Sequence, residues 1–292
     1  MSRNKEDVEE GVRRVTSPSS FWAHLNSDVD PAQTTGPLAA YCFMTGYMCA
    51  FFAFFLLERY TDTWGEDRDV ISFSAIFVWC GFQTGNFCQL ALAIARLFEG
   101  PKGFRDLTFH KADQQALCSL ISFNAGAFVG RIGDKVGPHK RIWLVCGTII
   151  QALFTMAAAL AIWKSGQPGI ADDRGDPSWT NALSFVALAF MSASLGVQGI
   201  VGKRLNTQFG TTIVLTTIWV ELMSDPRLFK LREKVASRDH KVLGAVALFL
   251  GGFMGRALVG KIGSAATLGV AVGIRILIAI SWIFIGGKAA GR

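Results

Sequence analysis

The stretch Phe73–Phe98, FSAIFVWCGFQTGNFCQLALAIARLF, decides the fold. A helix that crosses a bilayer needs about 20 predominantly apolar residues, and this stretch supplies them. Yet Gln83-Thr84-Gly85-Asn86 stands at its centre. Two amides, a hydroxyl and a flexible glycine in mid-span cost desolvation unless neighbouring helices or a wet cavity satisfy them. Two readings follow. The groups knit helices together by hydrogen bonds, or they mark a partly unwound helix at a binding site near the midplane.

The rest of the chain has the same character. Its 292 residues are 51% hydrophobic and only 17% charged, against about 25% in soluble domains, and the mean hydropathy is +0.35. The net charge of +7 is carried by short loops between apolar blocks, which positive-inside topology explains better than nucleic-acid binding. The six cysteines lie in or beside apolar blocks without a CxxC pair, and the four histidines are scattered through polar segments. No HExxH, phosphate-binding loop, GxSxG or paired-carboxylate pattern is present. The sequence therefore points away from an enzyme, a metal site or a cofactor, and towards the lipid bilayer as principal partner.

Working outward, the apolar blocks are Pro37–Leu57, Phe73–Phe98, Ala112–Gly130, Ile142–Trp163, Ala182–Val201, Thr211–Met223, Val242–Gly260 and Ala265–Ile285. An all-α polytopic membrane bundle of six to eight spans is expected over residues 37–287. Eight is favoured because Phe73–Phe98 is long enough to cross. Residues 1–36 are polar with no apolar run, the pattern of a partly disordered cytoplasmic tail rather than a cleavable signal. Within it, Phe21, Trp22 and Leu25 suit the membrane surface. Lys and Arg place both termini in the cytoplasm whether blocks two and six span or are re-entrant.

The solvated loop 164–181 divides two similar halves, about 38–163 and 182–286. Gly126-Ala-Phe-Val-Gly130-Arg131 recurs as Gly251-Gly-Phe-Met-Gly255-Arg256, and Gly46-Tyr47 is echoed by Gly196-Val-Gln198. Glycines four apart share one helix face and let backbones approach, so Gly126, Gly130, Gly251 and Gly255 are read as packing positions. Four spans per half would make the repeats parallel; three would make them inverted.

Two family patterns are recognisable. Residues 130–141, GRIGDKVGPHKR, resemble the loop signature of the major facilitator superfamily, although the chain lacks the length for twelve spans and the second copy lacks the acid. The order Gly46-Tyr47, Gln83-Thr84-Gly85-Asn86, Gly126 to Gly130, Gly196-Val-Gln198 and Thr211-Thr212 to Thr217 covers nearly the whole chain and is similar to the YoaK-like membrane family, a domain of unknown function. HLNSDVDP (24–31) and LTTIWVELMSDPRLF (215–229) resemble its fungal branch. Many members carry an Asp two residues after Gly-Tyr; here Met48 and then Cys49 occupy that neighbourhood. The resemblance implies a six-to-eight-helix membrane protein without a transferable activity.

The functional expectation is a small-solute transporter or channel with a site between the halves. Gln83, Thr84, Gly85, Asn86, Gln198, Thr211, Thr212, Thr216 and Thr217 would line it with uncharged hydrogen-bonding groups, suited to a polar neutral solute or an ion held by oxygens. The alternative is a non-transporting scaffold in which the same groups only join helices. Arg275 is the last candidate. It lies about ten residues from either end of its block, where an arginine costs at least about 2.5 kcal/mol on insertion scales. It is expected to face the interior and meet Glu221, Asn86 or the threonines of block six.

Overall fold

A computed structural model describes residues 18–49, 76, 78–99, 107–170, 178–207, 212–213, 215–230 and 232–288. Parts of the first two apolar blocks, and Thr211, lie outside the described residues. The helices are α1 (Pro18–Asn26), α2 (Thr35–Cys49), α3 (Gln83–Arg96), α4 (Lys111–Gly130), α5 (Ile132–Val136), α6 (Arg141–Ser165), α7 (Ala182–Leu205), α8 (Leu215–Met223) and α9 (Ala236–Phe284). Four helical segments, Lys111–Val136, Arg141–Ser165, Ala182–Leu205 and Ala236–Phe284, are long and apolar enough to cross a membrane.

Their local sequences explain where they begin and stop. Asn181 caps α7 by accepting from Ser184 N–H at 2.9 Å, and Asn206 ends it in the left-handed region at φ 48°; both are ordinary roles for asparagine. Gly166 closes α6 at φ 65°.

Polarity is inverted relative to a soluble bundle. On α6, Thr148, Gln151 and Thr155 are fully buried, while Ile149, Leu153, Leu160 and Trp163 are exposed. A polar stripe turned inward and an apolar face turned outward is the arrangement a helix adopts when lipid is its solvent.

The 49-residue helix α9 is not straight. At about 1.5 Å per residue it would be about 74 Å long. Gly263, at φ 76° and ψ 168°, breaks it, and its two ends return to one place. His240 Nε2 lies 3.2 Å from Thr35 Oγ1, and Asp30 N–H donates to Gly286 O at 2.9 Å. The arms 236–262 and 264–284 are therefore a helical hairpin.

The same contacts orient every other helix. One end of the bundle, here called proximal, gathers the start of α2 and both ends of α9. The start of α6 is there too: Val29 N–H donates to His139 O at 3.0 Å, and Arg141 N–H to Ser27 O at 3.2 Å. Arg204, near the end of α7, joins it through a two-pronged pair with Asp134 of α5 at 2.7 and 2.8 Å. The distal end gathers the end of α6 and the start of α7, where Asn181 Nδ2 donates to Ser165 O at 2.9 Å. It also holds the start of α4, whose Gln115 donates to Trp179 O at 2.5 Å, and the end of α3, whose Arg96 pairs with Asp113. So α2, α6 and the first arm of α9 run from proximal to distal. Helices α4, α7 and the second arm run back.

Glycine sets the tightest packing. A Cβ on Gly126 would sit 2.0 Å from Ala193 O, and one on Gly196 would sit 2.1 Å from Phe123 O, so α4 and α7 meet backbone to backbone. On the other side, a Cβ on Gly251 would sit 2.0 Å from Phe43 O and one on Gly46 1.8 Å from Leu248 O, which joins α2 to the first arm of α9. Gly130 and Gly255 extend the same two contacts, against Ile200 and Tyr47. Each glycine pair therefore links a helix of residues 38–163 to one of residues 182–286.

Residues 18–36, part of the polar N-terminal segment, form α1 and α2's first residues with a 3-10 turn at Pro31–Gln33 between them, and are tied to the proximal end. Arg141, almost wholly buried, donates to His24 O, Ser27 Oγ and Ile285 O. Phe21 and Trp22 remain exposed on α1.

Candidate functional site: two buried polar clusters

The Gln83–Asn86 motif opens a helix rather than interrupting one. Residues 78–82 are non-helical and α3 begins at Gln83, so the backbone break falls just before the motif. Asn86, fully buried, folds back on that break: its Nδ2 donates to Trp79 O at 2.6 Å, and its Oδ1 accepts from Trp79 N–H at 3.3 Å. Gln83 Nε2 donates to Cys80 O at 3.0 Å and to Ser119 Oγ of α4 at 3.1 Å. Ser119 in turn donates to Trp79 O at 2.7 Å and lies 2.9 Å from Ser192 Oγ of α7. The first cluster thus satisfies the free carbonyls of the non-helical stretch 78–82, as buried backbone requires.

The second cluster is centred on Arg275. Its side chain is fully buried, and its Nη1 donates to Gln151 Oε1 of α6 at 2.5 Å and to Gln198 Oε1 of α7 at 3.4 Å. Arginine offers only donors, so both carboxamides must turn oxygen towards it and leave their NH2 groups for other partners. Gln151 Nε2 donates to the Tyr41 hydroxyl at 3.3 Å. Tyr41 lies 2.6 Å from Thr148 Oγ1, whose own hydrogen goes to Leu144 O at 2.7 Å; the tyrosine is therefore the donor of that pair. Gln198 Nε2 donates to Thr45 Oγ1 at 2.8 Å, Tyr41 O at 3.0 Å and Thr212 Oγ1 at 3.3 Å. Thr45 completes the ring by donating to Thr212 O at 2.8 Å. The Trp282 ring stands edge-on to Tyr41 with centroids 6.0 Å apart.

The structure divides the sequence candidates. Gln83, Gly85 and Asn86 belong to the first cluster or its helix turn; Gln198, Thr212 and Arg275 belong to the second. Thr84, Thr216 and Thr217 are exposed, and Thr211 lies outside the described residues. Arg275 faces the interior and donates to Gln151 and Gln198, two partners outside the expected set of Glu221, Asn86 and the block-six threonines. Glu221 instead pairs with Lys241 at 3.2 Å. Sequence reading missed Tyr41, Thr45, Thr148, Gln151, Ser119 and Trp282. The i, i+3, i+7 spacing of Thr148, Gln151 and Thr155 in an otherwise apolar block was the available signal. Among the described residues, no group of three or more His, Cys, Asp or Glu could hold a metal ion.

A family model described as a protein of unknown function, DUF1275, matches residues 68–281. The chain belongs to that family. The match takes in Gln83, Asn86, Gln151, Gln198 and Arg275, whereas Tyr41 and Thr45 precede it. No curated protein and no solved structure matches. Family membership and the apolar helices together make this an integral membrane protein.

Proposed function

We propose that this DUF1275 protein, as a YoaK-like member of fungal type, is a small-solute transporter or channel. It would be built from two inverted repeats, with the Arg275 cluster as its site. The observation that carries the reading is the cluster itself. A buried guanidinium is held by side chains from α6 and α7, which α2 in turn binds, at the seam between the two halves. Intramembrane arginines of this kind are costly and generally mark solute or ion pathways.

Helix direction supports the repeat. Gly46 and Gly196 occupy matching places in α2 and α7, which run in opposite directions. The glycine pairs match residue for residue: Phe43 and Ala193 stand 150 positions apart, as do Gly46 and Gly196. Their partners, Phe123 with Leu248 and Gly126 with Gly251, stand 125 apart. Helix α4 is likewise opposed to the first arm of α9, and α6 to the second. On this reading there are six spans, not the eight parallel ones favoured from sequence. The end of α3 and the start of α4 meet at the distal end, so the second apolar block would enter and leave by one side. At 14 and 9 residues, α3 and α8 rise about 21 and 14 Å, short of the about 30 Å core. Short helices broken near the midplane beside a solute site are the pattern of inverted-repeat transporters. Both termini would lie on the basic, cytoplasmic side.

The second reading is a scaffold, favoured by the extent to which the cluster's amides and hydroxyls bond one another. Swelling of proteoliposomes in urea, glycerol, formamide or sodium formate separates the two. Transport requires swelling faster than in protein-free vesicles and its loss in Gln198→Leu. Equal rates with and without protein for every solute would leave the scaffold.

A further inference from the structure

The reading above leaves the solute's chemistry open, and the inference here rests on that reading. We propose that the Arg275 cluster binds a small anion, a carboxylate or comparable oxyanion, seated on the guanidinium between Gln151, Gln198 and Trp282.

Three independent features of the cluster favour negative charge. The first is the guanidinium, whose planar fork of donors matches a carboxylate. The second is Trp282. It is fully buried, and its indole N–H lies beside the Tyr41 hydroxyl, whose oxygen already accepts from Gln151. Buried indole N–H groups usually find an acceptor; this one has only that shared hydroxyl, so it is a donor that an anion on the guanidinium would engage. It stands seven residues after Arg275, two turns along the same face of the second arm of α9. The third is α8. Its start at Leu215 follows Thr212, which accepts from both Gln198 and Thr45, and it runs from there towards Glu221 and Lys241. Its positive N-terminal end is therefore the end nearest the cluster.

Gln151 supplies the adaptable part. With no anion, its carboxamide oxygen and that of Gln198 hold Arg275. Turned through about 180°, Gln151 would present an NH2 donor in the same place and accept the Tyr41 hydroxyl hydrogen on its oxygen, while Gln198 keeps its NH2 on Tyr41 O and Thr45. An anion would then be met by the guanidinium, the indole N–H and the Gln151 amide. A neutral solute gains nothing from the guanidinium and the helix end that it could not gain from the amides alone.

The test is thermal unfolding of the full chain in detergent, titrated with sodium formate, acetate or nitrate, and with neutral formamide or acetamide of the same shape. At least one anion should raise the unfolding midpoint saturably, and the matched amides should not. Half-saturation should weaken about tenfold in Trp282→Phe, which keeps the ring against Tyr41 and removes only the donor. It should be lost in Arg275→Gln. If Arg275→Gln does not fold, Trp282→Phe decides alone. A rise equal in wild type and Trp282→Phe is a bulk salt effect and overturns the proposal. If an amide saturates and no anion does, the anion reading falls and the solute site stands. If nothing saturates, both fall.

Discussion

Replacing Gly251 by alanine tests the packing in its most exacting place. The added Cβ would stand 2.0 Å from Phe43 O, 2.8 Å from Phe43 C and 2.9 Å from Tyr47 N. All three atoms are backbone, so no rotamer change relieves the clash. Ordinary contact begins near 3.4 Å, so α2 and the first arm of α9 must part by about 1.4 Å. Overpacking of that kind costs about 1–3 kcal/mol. Against it stands about 1 kcal/mol gained because alanine is the better helix former. The net expectation is a loss of up to about 2 kcal/mol. Gly273, on the other arm of the same helix, has nothing within 4 Å of its added Cβ, so Gly273→Ala should keep the helix gain without the clash. Unfolding of each variant in mixed micelles by sodium dodecyl sulfate gives the difference directly. Gly251→Ala should fall below wild type and Gly273→Ala should match or exceed it. Equal stabilities for the two variants would refute the claim that these backbones touch.

Three further outcomes follow from the same geometry. A cysteine placed at Gln167 in a cysteine-free background should react with a membrane-impermeant maleimide from the side opposite Lys288, whereas eight parallel spans would put both on one side. Arg141→Gln should raise amide hydrogen exchange across residues 27–33, because it removes charged bonds to His24 O, Ser27 Oγ and Ile285 O; unchanged exchange would mean that this segment is held by its backbone pairs alone. Tyr41→Phe should cost about 1 kcal/mol by the same micelle assay, since it breaks the link between Gln151 and Thr148 while the ring still meets Trp282.

Composition and block length were enough to read an all-helical membrane protein, because the bilayer leaves few other solutions. The GxxxG copies were legible for a related reason: small residues at fixed spacing have few uses on an apolar helix except close approach. Direction was not legible. Span number depends on whether blocks two and six cross or turn back, and charge counts give the same balance either way. The break before Gln83 was half visible. Glutamine and asparagine in an apolar run announced a polar need, but the backbone carbonyls that create it belong to Trp79 and Cys80, which carry no such mark. The partners of Arg275 were hidden by a different bias. Acids and motif residues are the partners a sequence offers a buried arginine, whereas Gln151 stands alone in IIQALF and gains its role only when α6 turns it towards α9.

That pairing bears on how the bundle could move. Gly196 and Gln198 are two residues apart on α7, about 200° around the helix. One side of α7 is pressed against α4 at backbone distance, and nearly the opposite side holds the amide that meets Arg275. Helix α2 is built alike, with Gly46 against the first arm of α9 and Tyr41 and Thr45 towards the cluster. Of the helices that carry cluster residues, α2 and α7 are thus each fastened by glycine, α2 to the first arm of α9 and α7 to α4. A shift at either glycine contact would carry Gln198 or Tyr41 with it and change the distance to Arg275 at once. On the transporter reading proposed above, alternating access by rocking one half against the other would act on the cluster through α2 and α7, and the glycine contacts would set how far each can travel.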